Sequence, residues 1–162
     1  MEYFKFIKML DEHYGSENDM QNLLKYIAGK GGNINKEKLL QCCGKGVSSH
    51  PKKAAMQMKA VQQAFGKENG RRMYHLIVSF PKNMHQKAFI KQAADEVAEM
   101  FFENFQVFYG IHTAKEHWHI HYAVNAVSYR TGKKWHQNKQ EFACMKKAIQ
   151  EIAENAAKGN SF

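Results

Sequence analysis

The chain has 162 residues, with 24 Lys and Arg against 15 Asp and Glu, a formal net charge of +9 and a pI near 9.4. At 44% hydrophobic and 12% aromatic residues it can bury a core, which excludes a disordered tail and a small disulfide-stapled scaffold. No apolar run approaches the ~18 residues of a membrane span, and the length is that of one domain, residues 1–162.

Glu2, Lys5 and Lys8 interrupt the apolar residues of the N-terminus, so no signal peptide is expected. The cysteine count is odd, and Cys42 and Cys43 are adjacent. That is no disulfide framework, and it places the chain in a reducing, cytoplasmic compartment. The positive charge points to a polyanion, nucleic acid being the commonest. No basic amphipathic helix with an aromatic face stands out, so insertion into a membrane is not expected.

In chain order, residues 3–8 nearly alternate and read as a short strand. Asp19 is a plausible N-cap for a helix to about Ala28, with Met20, Leu23, Leu24 and Ile27 on one face. Residues 39–43 form a short strand. Residues 51–65 form a helix with Pro51 near its start. Residues 72–80 are the clearest strand, closed by Pro81. A long helix over 85–102 carries Phe89, Ala93, Val97 and Met100 on its buried face. Strands over 105–112 and 117–129 follow, then a turn at 130–133 and a helix from about Lys139 to Ala157. The link between the last two strands is so short that they must pair antiparallel, because a parallel crossover needs about a dozen residues or more. The class is α+β, an antiparallel β-sheet with helices mainly on one face.

Four of the nine histidines fall close together: His112, His117, His119 and His121. Alternate residues of a strand share a face, so His117, His119 and His121 point one way and Trp118, Ile120, Tyr122 and Val124 the other. His112 lies across the hairpin. A lone histidine on a strand is ordinary, but several on one face would repel each other once protonated, and imidazoles from two adjacent strands can converge on one ion. A three-His site leaves coordination positions open, as in catalytic rather than structural sites. In a basic protein the natural occupant is a phosphate, on which the ion acts as a Lewis acid. The attacking group is then water, for hydrolysis, or a tyrosine, for a covalent link that conserves the bond.

His112-Thr113, His119-Ile120-His121, Asn125 and the run Arg130-Thr131-Gly132-Lys133-Lys134-Trp135-His136 resemble the third motif of plasmid mobilisation relaxases, the conjugative HUH endonucleases (His-hydrophobic-His) of the MobA/VirD2 type. Tyr74-His75 with Ser79-Phe80 is similar to a second family strand, and the segment 22–27 is similar to the one that carries the nucleophilic tyrosine. The resemblance spans about residues 20–150. It implies a palm- or ferredoxin-like HUH fold, circularly permuted relative to replication initiators, with His112, His119 and His121 as metal ligands and Tyr26 as nucleophile. It further implies nicking and rejoining of single-stranded DNA at a transfer origin through a 5′-phosphotyrosine. The cofactor would be a divalent ion, usually Mg or Mn in the family, while imidazoles also suit Zn, Ni or Fe. Accessory relaxosome proteins and a coupling protein are the implied partners. The chain departs from relatives at Ala114, where they usually carry an acidic residue; Glu116 is the nearby substitute.

Tyr26 flanks the apolar face of its helix, and Tyr14 is the second candidate nucleophile. Asn125 shares the histidine face by parity and is a candidate DNA contact. Lys133, Lys134, Trp135 and His136, with Lys139 nearby, combine cations with an aromatic, as a single-strand track requires. Arg72, with Arg71, Lys52 and Lys53, is a further phosphate candidate. The rival readings are a non-catalytic DNA-binding module and a hydrolytic metallonuclease.

Overall fold

The computed structural model describes residues 3–30, 37–114 and 116–160. The elements run β1 (Phe6–Met9), α1 (Glu17–Ile27), β2 (Lys38–Lys45), α2 (Pro51–Ala64), β3 (Met73–Ser79), α3 (Lys87–Phe102), β4 (Val107–Thr113), β5 (His119–Asn125) and α4 (Lys139–Lys158). The element order expected from the sequence holds, and the boundaries move by local chemistry. Ser16, not Asp19, caps α1: its hydroxyl accepts from the Asp19 amide at 3.0 Å. Asp19 lies in the first turn, where its charge favours the helix N-terminus.

The five strands form one sheet in the order β1-β3-β5-β4-β2, antiparallel throughout. β5 is central, and the short hairpin pairs His112 with His119 and Gly110 with His121. β1 lies at the edge of the sheet, against β3. The chain still reaches the histidine face because residues 10–13 run along β3, the Leu10 amide bonding to the His75 carbonyl and the Arg72 amide to that of His13, both at 2.9 Å.

The antiparallel α+β class is as expected, but the helices divide two and two. On one face Ile120, Tyr122 and Val124 of β5 join Phe89, Ala93 and Val97 of α3 and Ile149 and Ala153 of α4 in a dry core. On the other, Met73, Phe108 and Ala123 meet Met20, Leu24 and Ile27 of α1 and Ala54 and Met58 of α2. These small and apolar residues cover only part of the second face. The stretch carrying His112, His119 and His121 lies beyond them.

Asn125 explains how the covered part is closed. It is fully buried and lies under α2, not on a DNA-facing surface. Its Oδ1 accepts from Gln62 Nε2 (3.0 Å) and the Val127 amide (3.1 Å). Its Nδ2 donates to the Met58 carbonyl (3.2 Å) and Gln106 Oε1 (2.9 Å). The expectation of a DNA contact is corrected accordingly: strand parity gives the right face, but α2 covers that end of it. Arg72 is likewise enclosed, its Nε donating to Gln62 Oε1 at 2.7 Å and its Nη2 pairing with Glu68 at 3.4 Å, so its cation is spent inside the protein rather than on a phosphate.

Truncating Asn125 leaves several buried partners unpaired, so Asn125→Ala lowers unfolding free energy by about 1–3 kcal/mol. Chemical denaturation checks this, and an unchanged midpoint would contradict the closure.

Candidate metal centre

Four side chains converge at the uncovered end of the histidine face. His112 ends β4, His119 and His121 open β5, and Glu37 immediately precedes β2. One ligand atom from each lies within 4.8 Å of all the others. His112 and His121 are buried, while His119 and Glu37 are partly exposed.

Carbonyl partners show which ring nitrogen of His112 and of His119 donates, because a carbonyl oxygen only accepts. His112 Nε2 lies 2.8 Å from the Ile27 carbonyl, so it holds a proton, and Nδ1 faces Glu37 Oε2 at 3.1 Å. His119 Nδ1 donates to the His117 carbonyl at 3.1 Å, and its Nε2 faces Glu37 Oε1 at 3.3 Å. For His121 the line of partners is longer. The Tyr14 hydroxyl lies 2.9 Å from His75 Nδ1. His75 Nε2 in turn lies 2.9 Å from His121 Nδ1, and one of the two donates to the other. Burial holds both rings neutral: His75 is pushed down to about 4, first by desolvation and then by His112, and His121 is pushed down further, by desolvation and by the three neighbouring histidines. His121 Nε2 is buried and has no hydrogen-bond partner among the described residues.

Three imidazole nitrogens and both oxygens of a carboxylate therefore face one another; the unprotonated nitrogen of a neutral ring is an acceptor, as is each carboxylate oxygen. Acceptors gathered in this way repel unless a cation lies among them. A nitrogen-rich set with one carboxylate suits a divalent transition ion, so the residues present fit the metal that the sequence suggested.

His117 stays outside the cluster. It precedes β5, and its Nδ1 lies 2.8 Å from the Phe80 carbonyl. Glu116 does not belong to the cluster either. The carboxylate of the cluster is that of Glu37, 75 residues from His112 in sequence, and no local motif could have found it. His75 and Tyr14 were also unassigned as a pair. The available signal was His75 itself, an imidazole in an apolar strand on the parity of the histidine face. Tyr14 is buried and holds φ at 49°, a left-handed conformation rare for a bulky residue. That turn aims its hydroxyl at His75, so it is a support for the cluster and not an accessible nucleophile.

Tyr26 stands over the cluster. Its ring lies 5.5 Å from that of His112 and 5.1 Å from that of His121, edge-on to both. It remains 38% exposed, open to an incoming strand. Burial of its inner edge, and then the Glu37 charge, push its hydroxyl above the usual phenol range.

A family model described as relaxase, MobA/VirD2-like, nuclease domain, matches residues 26–157. The chain belongs to this relaxase family. It is 31% identical over 96 residues to a Protein rlx of Staphylococcus aureus, covering 59% of this chain and 30% of that protein. A second Protein rlx of the same organism is 35% identical over 89 residues, 55% of this chain and 28% of that protein. The matched segment thus spans about 30% of the length of these relatives. Among the described residues, no helix is long and apolar enough to cross a membrane.

Of the remaining relaxase expectations, the basic run divides. Lys133, Lys134 and His136, with Lys67 and Asn69, line an open hollow of about 480 Å³. Lys67 donates to the Gly132 carbonyl at 2.6 Å. Lys134 donates to the carbonyls of Asn69 and Arg71, and burial, then Lys67 and Arg72, lower its pKa. Trp135 does not join them as a stacking platform. It packs on Tyr74 (4.4 Å), Phe105 (5.7 Å) and Phe101 (6.0 Å), beside the core on the face away from the histidines.

The two buried rings also set a pH dependence for the metal-free protein. Each binds protons more weakly folded than unfolded, where the ordinary value is 6.5. Their contribution to stability is therefore complete above about pH 6.5 and shrinks as the pH falls toward about 4. Thermal unfolding between pH 7.5 and 4.5 in a chelating buffer checks this: the midpoint drops in wild type and drops less in His75→Gln. A wild-type midpoint flat across that window would contradict it.

Proposed function

We propose that this domain nicks and rejoins one strand of DNA at a transfer origin through a covalent 5′-phosphotyrosine on Tyr26. The observation that carries the reading is the seat of Tyr26: an accessible phenol stacked edge-on to two imidazoles of a cluster that demands a cation. His112, His119, His121 and Glu37 would hold a divalent ion, which when bound supplies a Lewis acid for a non-bridging oxygen of the scissile phosphate. Mg or Mn is the physiological choice that family resemblance favours; the imidazole-rich set accommodates Zn, Ni or Fe as well.

The chain's own residues do the rest. Glu37 raises the cost of ionising Tyr26, so neutralising Glu37 lowers that cost at the site where the phenol must lose its proton. Tyr26 Oη then forms a bond to phosphorus as the bond to the 3′ oxygen breaks. The departing oxygen takes up a proton to give a free 3′ hydroxyl, and the 5′ phosphate stays on Tyr26. The reverse attack by a 3′ hydroxyl reseals the strand. The hollow formed by Lys67, Lys133, Lys134 and His136 would hold backbone phosphates, and the face over the cluster is left open for the strand. Accessory relaxosome proteins and a coupling protein are the partners of such a role, and the cytoplasm its place.

The test is a denaturing gel of the protein incubated with Mn²⁺ and single-stranded DNA from its own element. Wild type gives a protein–oligonucleotide band and Tyr26→Phe gives none, with cleavage down by about three orders of magnitude or more. Cleavage by Tyr26→Phe without an adduct would make water the nucleophile. Binding without cleavage by wild type would leave a DNA-binding module.

A further inference from the structure

The last carbonyls of a helix have no partner within it. At the end of α1 one of these is the carbonyl of Ile27, and it accepts from His112 Nε2 at 2.8 Å. Such an approach requires the backbone of α1 to press against β4, and one residue allows it. A Cβ at Gly110 would lie 2.2 Å from the Ile27 carbonyl oxygen, 2.9 Å from Ile27 Cγ2 and 3.1 Å from the Ile27 carbonyl carbon. The nearest of these is backbone, and Ile27 is itself fully buried, so there is no flexible side-chain end to give way. Gly110 is not among the positive-φ glycines. The position needs glycine for space and not for conformation.

We propose that Gly110 is a positioning residue that couples the metal centre to the nucleophile. The notch it leaves in β4 lets α1 end on the ring of His112. One imidazole then holds the Ile27 carbonyl through Nε2–H and offers Nδ1 to the ion, while Tyr26, the preceding residue, is set above the same ring. A cation at Nδ1 fixes the tautomer that carries the proton on Nε2 and makes that N–H a stronger, charge-assisted donor. Loading the site therefore tightens the end of α1. The amides of Ala28, Gly29 and Lys30 report on it directly, since they bond back to Leu24, Tyr26 and Lys25 at 2.9–3.0 Å.

Only the consequence for cleavage rests on Tyr26 being the nucleophile; the clasp itself does not. The experiment uses the full chain, with Zn²⁺ as a diamagnetic probe. In wild type, saturating Zn²⁺ slows hydrogen exchange at Ala28, Gly29 and Lys30 roughly tenfold. Imidazole nitrogen NMR shows His112 protonated at Nε2 and bound through Nδ1, the reverse of His119. In Gly110→Ala, Zn²⁺ still binds but the slowing is lost, and formation of the covalent adduct with Mn²⁺ falls about 100-fold, the penalty expected of a reacting group displaced by about an ångström. His112 bound through Nε2, unchanged exchange on loading wild type, or a Gly110→Ala protein that keeps both the slowing and the cleavage rate would each overturn the proposal. If Gly110→Ala does not fold, the two wild-type measurements decide it. A wrong nucleophile would show itself separately, as normal cleavage by Tyr26→Phe with the exchange and NMR results intact.

Discussion

Five atoms that face one another define this molecule: His112 Nδ1, His119 Nε2, His121 Nε2 and the two oxygens of Glu37. Neutral acceptors so placed repel unless a cation lies among them, and each ring has a hydrogen-bond partner on its other side. The antiparallel hairpin places His112 opposite His119 and Gly110 opposite His121. The buried pair Tyr14–His75 reaches across from β3 to the third ring, and α1 ends on the first. Outer partners of this kind fix ligand orientation and basicity, and their loss commonly costs 10–100-fold in metal affinity.

The division of the sheet's two faces follows from the same requirement. Beneath α3 and α4 the sheet is dry and continuous, with Ile120, Tyr122 and Val124 fully buried. On the histidine side, α2 covers the Asn125 end and the end of α1 touches His112, and the cluster lies between. A metal centre for a polymer substrate needs rigid walls and an open mouth. Here the buried amide network of Asn125, Gln62 and Gln106 supplies rigidity at one end, and the exposed rim of Tyr26 borders the other.

Much of this was legible in the sequence where the signal is periodic. Alternation along residues 117–125 gave the histidine face and the opposite apolar face. The short link to the preceding strand gave the antiparallel pair, and the motif at His112, His119 and His121 gave the family. Parity, however, gives a face and not a depth. Asn125 lies on the expected side of the sheet and is sealed under α2, while Trp135 is drawn into packing with Tyr74, Phe101 and Phe105. Strand order was not legible either, because β1 is short and pairs with β3 through contacts far apart in sequence. Glu37 was beyond reach for the same reason: nothing near it in the chain announces a partner 75 residues away.

The central claim is that a metal ion completes the cluster, and anomalous scattering from crystals grown with Mn²⁺ tests it most directly. The account predicts one strong peak per chain, bounded by His112, His119, His121 and Glu37, and its disappearance on chelation. A map with no peak there at saturating Mn²⁺, or with the ion held elsewhere, would contradict it and leave a proton shared with Glu37 as the cation that the cluster requires.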